Sequence, residues 1–307
     1  MAAVKSVKVK KAGRPGQRKD YVIAYLMVAP AIIGLIILNI VPFLETIYMS
    51  FSKSALFGAW EFAGLSNYIK MLQDSEVWQS TLNTLLFVVY TVPVGVVLAL
   101  ILAVFINSEI RGRTIFRAIY FLPMVVAPAA VAMVWKWMFN TEFGIINNVL
   151  SSIGLPTTNW ITNPSTVMLS CGIVAIWSAV GYDAILLMSG LQAISTTYYE
   201  AAKIDGAGSI KQFFSITVPL ISPTMFFVVI MRTMSSLKVF DLIYMMIEDS
   251  NPAVKNARPL LGLFYRYSFE IGNKGYGSVI VLWTFFIISI FTVIQFVGQK
   301  KWVNYDA

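Results

Sequence analysis

The sequence predicts an all-α integral membrane protein of about six transmembrane helices. Three observations carry this. Of 307 residues, 58% are hydrophobic and only 12% charged, whereas soluble globular domains carry roughly a quarter charged residues. Six apolar runs recur along the chain, each near the ~20 residues that cross a bilayer core about 30 Å thick. Basic residues concentrate on alternate connecting segments, as the positive-inside bias requires.

The first run is Val22–Val41, with the helix continuing toward Tyr48. A tail with Lys5, Lys8, Lys10, Lys11, Arg14, Arg18 and Lys19 precedes it. The apolar part of a signal peptide is only about 7 to 15 residues, so an uncleaved span is predicted. Beside a span, such a tail reads as a topology signal in contact with lipid headgroups rather than as a nucleic-acid site.

Five further spans follow, at Leu82–Ile106, Ile115–Met138, Thr166–Leu191, Ile216–Met246 and Ser278–Val297. Pro30, Pro93, Pro123 and Pro128 fall inside spans, where neighbouring helices re-satisfy the freed carbonyls. Pro219 and Pro223 predict a bend at the start of the fifth span. The chain thus divides into a basic tail at 1–20, a first span with an external segment at 21–76, a core at 77–299 and a short tail at 300–307.

Six spans place both termini on one side. That side collects fourteen basic residues against six on the other, so both termini and the loop between spans four and five are predicted to be cytosolic. Trp78, Trp135, Trp137, Trp160 and Trp302 lie near predicted span ends, where amphipathic rings favour the interface. Lys136, between two of them, reads as a snorkelling side chain. The fourteen methionines read as packing.

Composition also excludes chemistry. The chain has no histidine and a single cysteine, Cys171. No intrachain disulfide is possible, and the commonest general base and metal ligand is missing. No metal site, cofactor or catalytic residue is predicted. No Gly-x-x-x-x-Gly-Lys-Ser/Thr phosphate loop occurs, so the chain does not itself hydrolyse ATP by that device.

The segment 195–219 carries the most information. Thr197 with Glu200, and Ser209 with Gln212, have capping-box spacing. Between them, Asp205-Gly206-Ala207-Gly208 signals a turn. A short helix, a glycine turn and a second helix entering span five are predicted. The first helix presents Ala201, Ala202 and Ile204, small enough in part for another surface to approach closely. On these residues alone, a hairpin that only joins two spans is the simpler reading.

These residues also resemble a family. Glu200-Ala201-Ala202, Gly206, Ile216 and Pro219 match the EAA motif of ABC importer permeases, with Asp205-Gly206-Ala207 in its common form and Val218 where leucine is usual. Tyr25 to Pro30, Asn83-Thr84, Phe121-Leu122-Pro123, Gly144 to Asn147, Gly190-Leu191-Gln192 and Phe240 to Tyr244 are similar to the carbohydrate-uptake (MalFG-like) branch. Asp249-Ser250-Asn251-Pro252 departs from that branch. The resemblance implies a type I ABC importer permease in a bacterial cell membrane, with the ABC transmembrane type-1 core at 77–299. It also implies a second homologous permease, a cytosolic ABC ATPase dimer gripping the EAA loops, and an extracytoplasmic solute-binding protein that delivers a sugar. Glu200 would be an electrostatic and capping anchor. Ala201, Ala202 and Ala207 would allow docking, Gly206 the turn, and Ile216 and Pro219 the join to span five.

Asp183, Arg232, Lys238 and Asp241 lie inside predicted spans, where a charge usually faces a cavity or a partner. Lys238 and Asp241 are three apart and predicted to neutralise each other on one helix. Asp183 and Arg232 lie at neighbouring depths. Either pair reads as a structural ion pair or as part of a substrate pathway. Tyr90, Trp177, Tyr182 and Tyr244 add aromatic pathway candidates, because sugars are held by hydrogen bonds and ring faces. A secondary transporter working without an ATPase, or a membrane enzyme, are the rival readings. The first would show repeat symmetry, which this sequence lacks, and the missing histidine and scarce intramembrane carboxylates argue against the second.

Overall fold

The computed structural model describes residues 17–54, 60–107 and 113–304. Lys5 to Arg14 of the basic tail, and Arg111, lie outside the described residues. The chain divides into two compact units, 1–49 and 50–307. Helices dominate both, because in lipid every backbone N–H and C=O must be bonded within the protein.

The first unit is one long helical stretch. Helix α1 (Gln17–Leu35) runs through a π-helical turn, Ile36–Ile40, into α2 (Val41–Ser50). The cause of the π turn is Pro42. Its ring opposes the carbonyl four residues back, at Leu38, and it supplies no N–H; a wider turn relieves both problems.

The second unit opens with a two-stranded hairpin, β1 (Ser52–Ser54) and β2 (Trp60–Phe62), pairing Ser52 with Phe62 and Lys53 with Glu61. Helices α3 (Ser66–Gln73) and α4 (Ser75–Asn107) follow. Next come α5 (Arg113–Val125), α6 (Pro128–Met138), α7 (Ile145–Ser152) and α8 (Val167–Ala193). Then come α9 (Thr196–Ile204), α10 (Ser209–Gln212) and α11 (Val218–Leu237). The chain closes with α12 (Asp241–Met246), α13 (Val254–Ala257), α14 (Leu260–Tyr265) and α15 (Lys274–Gly298). Among the described residues, five helical stretches are long and apolar enough to cross a membrane, or six when the bent pair α5 and α6 counts as one.

Helices α4, α8, α11 and α15 share one core, with Val92, Ala99, Leu187, Ile221, Val228 and Ile280 buried in it. A second core joins α4, α6, α8 and α12 through Phe87, Val131, Phe139, Val174, Ile243 and Met246. Helix α4 packs most extensively on α8.

The third predicted span, Ile115–Met138, is not a straight helix. It bends by 108° between Val125 and Pro128. A residue before proline is pushed out of the helical region, and Ala127 sits at φ −57°, ψ 134°, with Pro128 opening α6. Below this elbow, α5 lies directly on α8. A Cβ added at Gly181 would fall 1.9 Å from the Tyr120 carbonyl oxygen. Gly181→Ala is therefore expected to destabilise the chain by about 1–3 kcal/mol, the usual penalty of overpacking. A lowered unfolding temperature of the detergent-purified protein would register it.

The fifth predicted span, Ile216–Met246, is also interrupted. A π-helical turn, Phe213–Thr217, precedes α11, again just ahead of a proline, Pro219, whose ring opposes the carbonyl of Ser215. At the far end α11 stops at Leu237, and Lys238 to Phe240 leave the helix before α12 begins. Lys238 and Asp241 thus stand on either side of a break, both exposed, and no ion pair joins them. The expected neutralisation along one helix turn is corrected, because the continuous helix it needs is absent.

Hydrogen bonds fasten the segment 248–276 to the start of α4. The Asn83 amide donates to the carbonyls of Lys255 (2.8 Å) and Arg258 (3.0 Å). The Leu260 N–H donates to Thr84 Oγ1 (3.0 Å), and the Tyr276 hydroxyl to Asp74 (2.6 Å). Arg266 Nη1 donates to both carboxylate oxygens of Glu76 at 3.0 and 3.1 Å, and Arg258 pairs with Asp249 at 2.5 Å. Lys136 pairs with Glu248 rather than reaching only toward solvent. This contact holds the Glu248 carboxyl below the usual carboxylate range. The other end of the bundle carries α9 and α10. There the Asn304 N–H donates to Ser222 Oγ (2.9 Å), and Trp302 packs edge-on against Phe226.

Candidate functional site

Two sites emerge, a cleft among the spans and an exposed hairpin at one end of the bundle.

The cleft has a volume of about 330 Å³, within the size range of small-molecule sites. Pro123, Met124, Val126, Pro128 and Val131 line it from the α5–α6 elbow, and Ser178, Ala179 and Tyr182 from α8. Arg232 of α11 and Leu242 of α12 complete it. Both interrupted spans therefore open onto one space. Non-helical backbone at membrane depth is tolerated where it lines a cavity or is buried in protein, so the two breaks and the cleft explain each other.

Arg232 is held from behind. Its Nε donates to Asp183 Oδ2 at 2.5 Å, and its Nη2 to the Ala179 carbonyl at 3.3 Å. Asp183 is 2% exposed, and the Arg232 side chain keeps 17% of its surface accessible. The carboxylate is thus sealed in the bundle while the guanidinium faces the cleft. The ion pair is the arrangement a membrane interior demands of two charges.

Of the other pathway candidates, Tyr182 lines the cleft, whereas Tyr90 and Trp177 do not. Trp177 packs edge-on against Trp135. Tyr244 belongs to a separate aromatic group with Phe240 and Tyr265, each pair of ring centres 5.1 Å apart. Lys238 and Asp241 are not in the cleft lining. Sequence reasoning missed the elbow residues Met124 and Val126, and Ser178 and Leu242. Pro123 and Pro128 were the available signal, since two prolines five apart in one span are hard to keep in a straight helix.

The hairpin at 195–217 is a helix, a turn and a second helix. Its cap differs from the expected one. Ser195, not Thr197, caps α9, and its Oγ accepts from the Thr197 N–H at 3.4 Å. Thr197 instead shares a hydroxyl hydrogen bond with Ser195 (2.8 Å). Glu200 is exposed and takes no part in the cap. Gly208, not Ser209, occupies the cap position of α10. The Gln212 amide reaches back over the turn and donates to the Ala207 carbonyl (2.7 Å).

The turn itself is a glycine-terminated helix end. The Ala207 N–H donates to the Ala202 carbonyl (2.8 Å) and the Gly206 N–H to the Lys203 carbonyl (3.1 Å), the paired bonds of a Schellman cap. Gly206 sits at φ +75°, a conformation glycine adopts without a Cβ penalty. Asp205 closes α9 and is exposed. The Tyr199 hydroxyl meets Thr217 Oγ1 (2.9 Å), bracing α9 against the entry to α11. No residue of α9 or α10 is buried. Ile204 is 88% exposed, Ile210 78% and Phe214 66%. Glu200, Ala201, Ala202, Asp205, Gly206 and Ala207 thus share one compact projection, and Ile216 and Pro219 lie where it joins α11.

A match to the family described as the binding-protein-dependent transport system inner membrane component covers residues 78–302. The chain belongs to that family. Among relatives, this permease is 33% identical to the trehalose/maltose transport system permease protein MalF of Thermococcus litoralis, over 89% of this chain and 92% of that relative. It is 31% identical to the sulfoquinovosyl glycerol transport system permease protein SmoG of Agrobacterium fabrum, over 86% and 85% of the two chains. In fold, it superposes on a chain of a bacterial alginate ABC transporter, solved with an alginate pentasaccharide-bound periplasmic protein. The TM-score is 0.83 at 21% identity, over 94% of this chain and 98% of the other.

Proposed function

We propose that this permease forms half of the translocation pathway for a sugar or oligosaccharide in an ATP-driven importer. The core at 77–299 lines that half, and a second homologous permease supplies the other. An extracytoplasmic binding protein delivers the sugar, and the substrate passes by the cleft at Tyr182 and Arg232. The observation that carries the pathway reading is the cleft, because two interrupted spans open there around a charge that a lipid-facing surface would not tolerate.

The hairpin at 195–219 is the docking element for a cytosolic ATPase. Exposed apolar side chains clustered on one projection mark interaction surfaces, and Ile204, Ile210 and Phe214 form such a group. ATP hydrolysis then resides on the partner, and its closure moves the hairpin and the α11 helix braced to it by Tyr199 and Thr217. Both termini and this hairpin lie on the cytosolic side, in line with the fourteen-to-six distribution of basic residues.

Relatives named for trehalose and maltose, and for sulfoquinovosyl glycerol, support a carbohydrate as the solute. The test is ATPase stimulation of the reconstituted complex by its binding protein, loaded from a panel of saccharides, amino acids and peptides. A saccharide is expected to give the stimulation. Stimulation by amino acids or peptides alone would contradict the reading.

A further inference from the structure

The names of relatives leave the charge of the sugar open, since maltose is neutral and a sulfoquinovosyl group is anionic. The cleft supplies a physical answer. Among the described residues that line it, Arg232 is the one charged side chain. Its charge is already matched by Asp183, through a direct bond from Nε. Lys238 stands six residues, about 9 Å, further along the chain, and does not line the cleft.

The guanidinium has five N–H donors in a fixed fork. Nε is engaged by Asp183, and one Nη2 hydrogen by the Ala179 carbonyl. Neither Nη1 hydrogen nor the second Nη2 hydrogen is among these bonds, Arg232 lines the cleft, and the outer Nη1–Nη2 edge presents one hydrogen from each nitrogen. That edge suits two acceptors side by side, the arrangement of vicinal sugar hydroxyls. Tyr182 and Ser178 add hydroxyls on the adjoining wall.

From this charge balance we infer that the cleft selects neutral saccharides over acidic ones, and that Asp183 is the positioning residue that sets the preference. The inference rests on the sugar reading above. A neutral hydroxyl accepts from the fork without changing the charge of the site. A carboxylate or sulfonate on the same edge places two anions about one guanidinium, in a region where an uncompensated charge is expensive. Arg232 alone would attract the acidic sugar, and Asp183 cancels that attraction while holding the fork in place. The partly buried Arg258 and Arg266 do not reverse this, because they are paired with Asp249 and Glu76.

The experiment measures saccharide binding to the detergent-purified transporter complex without its binding protein, by saturation-transfer NMR. The probes are a pool of neutral di- to tetrasaccharides and a pool of oligouronates of the same lengths from alginate and pectin digests. Wild type is expected to bind the neutral pool at least tenfold more tightly. Asp183→Asn keeps size and a hydrogen-bond acceptor for Nε but frees the positive charge, and is expected to invert that preference. Copurification of the ATPase reports that the variant is folded. A purely structural Asp183 would change stability without moving the ratio. Equal or tighter oligouronate binding by wild type, or an unchanged ratio in Asp183→Asn, overturns the charge rule and leaves the sugar reading intact. Binding of neither pool by an assembled wild-type complex overturns both.

Discussion

Replacing Arg232 by methionine is expected to cost the permease its folded state, while replacing Arg232 and Asp183 together is not. Asp183 is 2% exposed and bonded to Arg232 at 2.5 Å. Removing the cation strands a carboxylate in the bundle, at a cost of about 3–5 kcal/mol for a broken buried pair. That is a large part of the ~5–15 kcal/mol by which proteins are stable. The double variant Asp183→Asn/Arg232→Met leaves no charge to strand, and well-packed neutral replacements of buried pairs are often close to neutral in stability. The yield of monodisperse, ATPase-bound complex should therefore collapse in Arg232→Met and recover in the double variant. Uptake should recover in neither, because the donor fork facing the cleft is gone. Recovery of uptake in the double variant would assign the pair to structure alone.

The second large effect is expected at Gly206. Proline fixes φ near −65°, whereas Gly206 holds φ +75° and donates its N–H to the Lys203 carbonyl. Gly206→Pro removes both features of the turn, so α9 and α10 lose their fixed relation. Insertion should be normal, since the hairpin lies outside the cores built on α4, α8, α11 and α15. ATPase copurification and uptake should both fall by at least tenfold. Gly206→Ala is a milder comparison. It keeps the N–H and costs about 1 kcal/mol for a left-handed residue with a Cβ, so it should lower coupling only partly.

Much of this was legible in the sequence for identifiable reasons. Long apolar runs gave the spans, because only a helix satisfies its backbone in lipid. The Asp205 to Gly208 run gave the turn between α9 and α10, because glycine is the residue that ends a helix in the left-handed conformation. The cap was misplaced because Ser195, Thr196 and Thr197 offer three adjacent hydroxyls, and only the backbone angles decide which one faces the free N–H groups. Span three is one apolar run in the sequence, and bundled spans tolerate prolines such as Pro123 and Pro128, so the run alone does not show the bend; here Ala127, held extended by Pro128, turns the chain by 108°. The break at Lys238 to Phe240 has no such signal. No proline or glycine stands there, and the helix ends where Phe240 stacks on Tyr244 and meets Tyr265. The contact with Tyr265 is tertiary, and local sequence does not encode it. The pairing of Asp183 with Arg232 needed depth along two spans, while the cleft beside it needed both breaks.

The most direct test of the central claim is uptake of labelled saccharide into proteoliposomes that hold both permeases and the binding protein, with and without the ATPase subunits. The account predicts uptake only when the ATPase and ATP are present, and none when the ATPase is omitted. Uptake at the same rate without the ATPase, driven by an ion gradient, would contradict it.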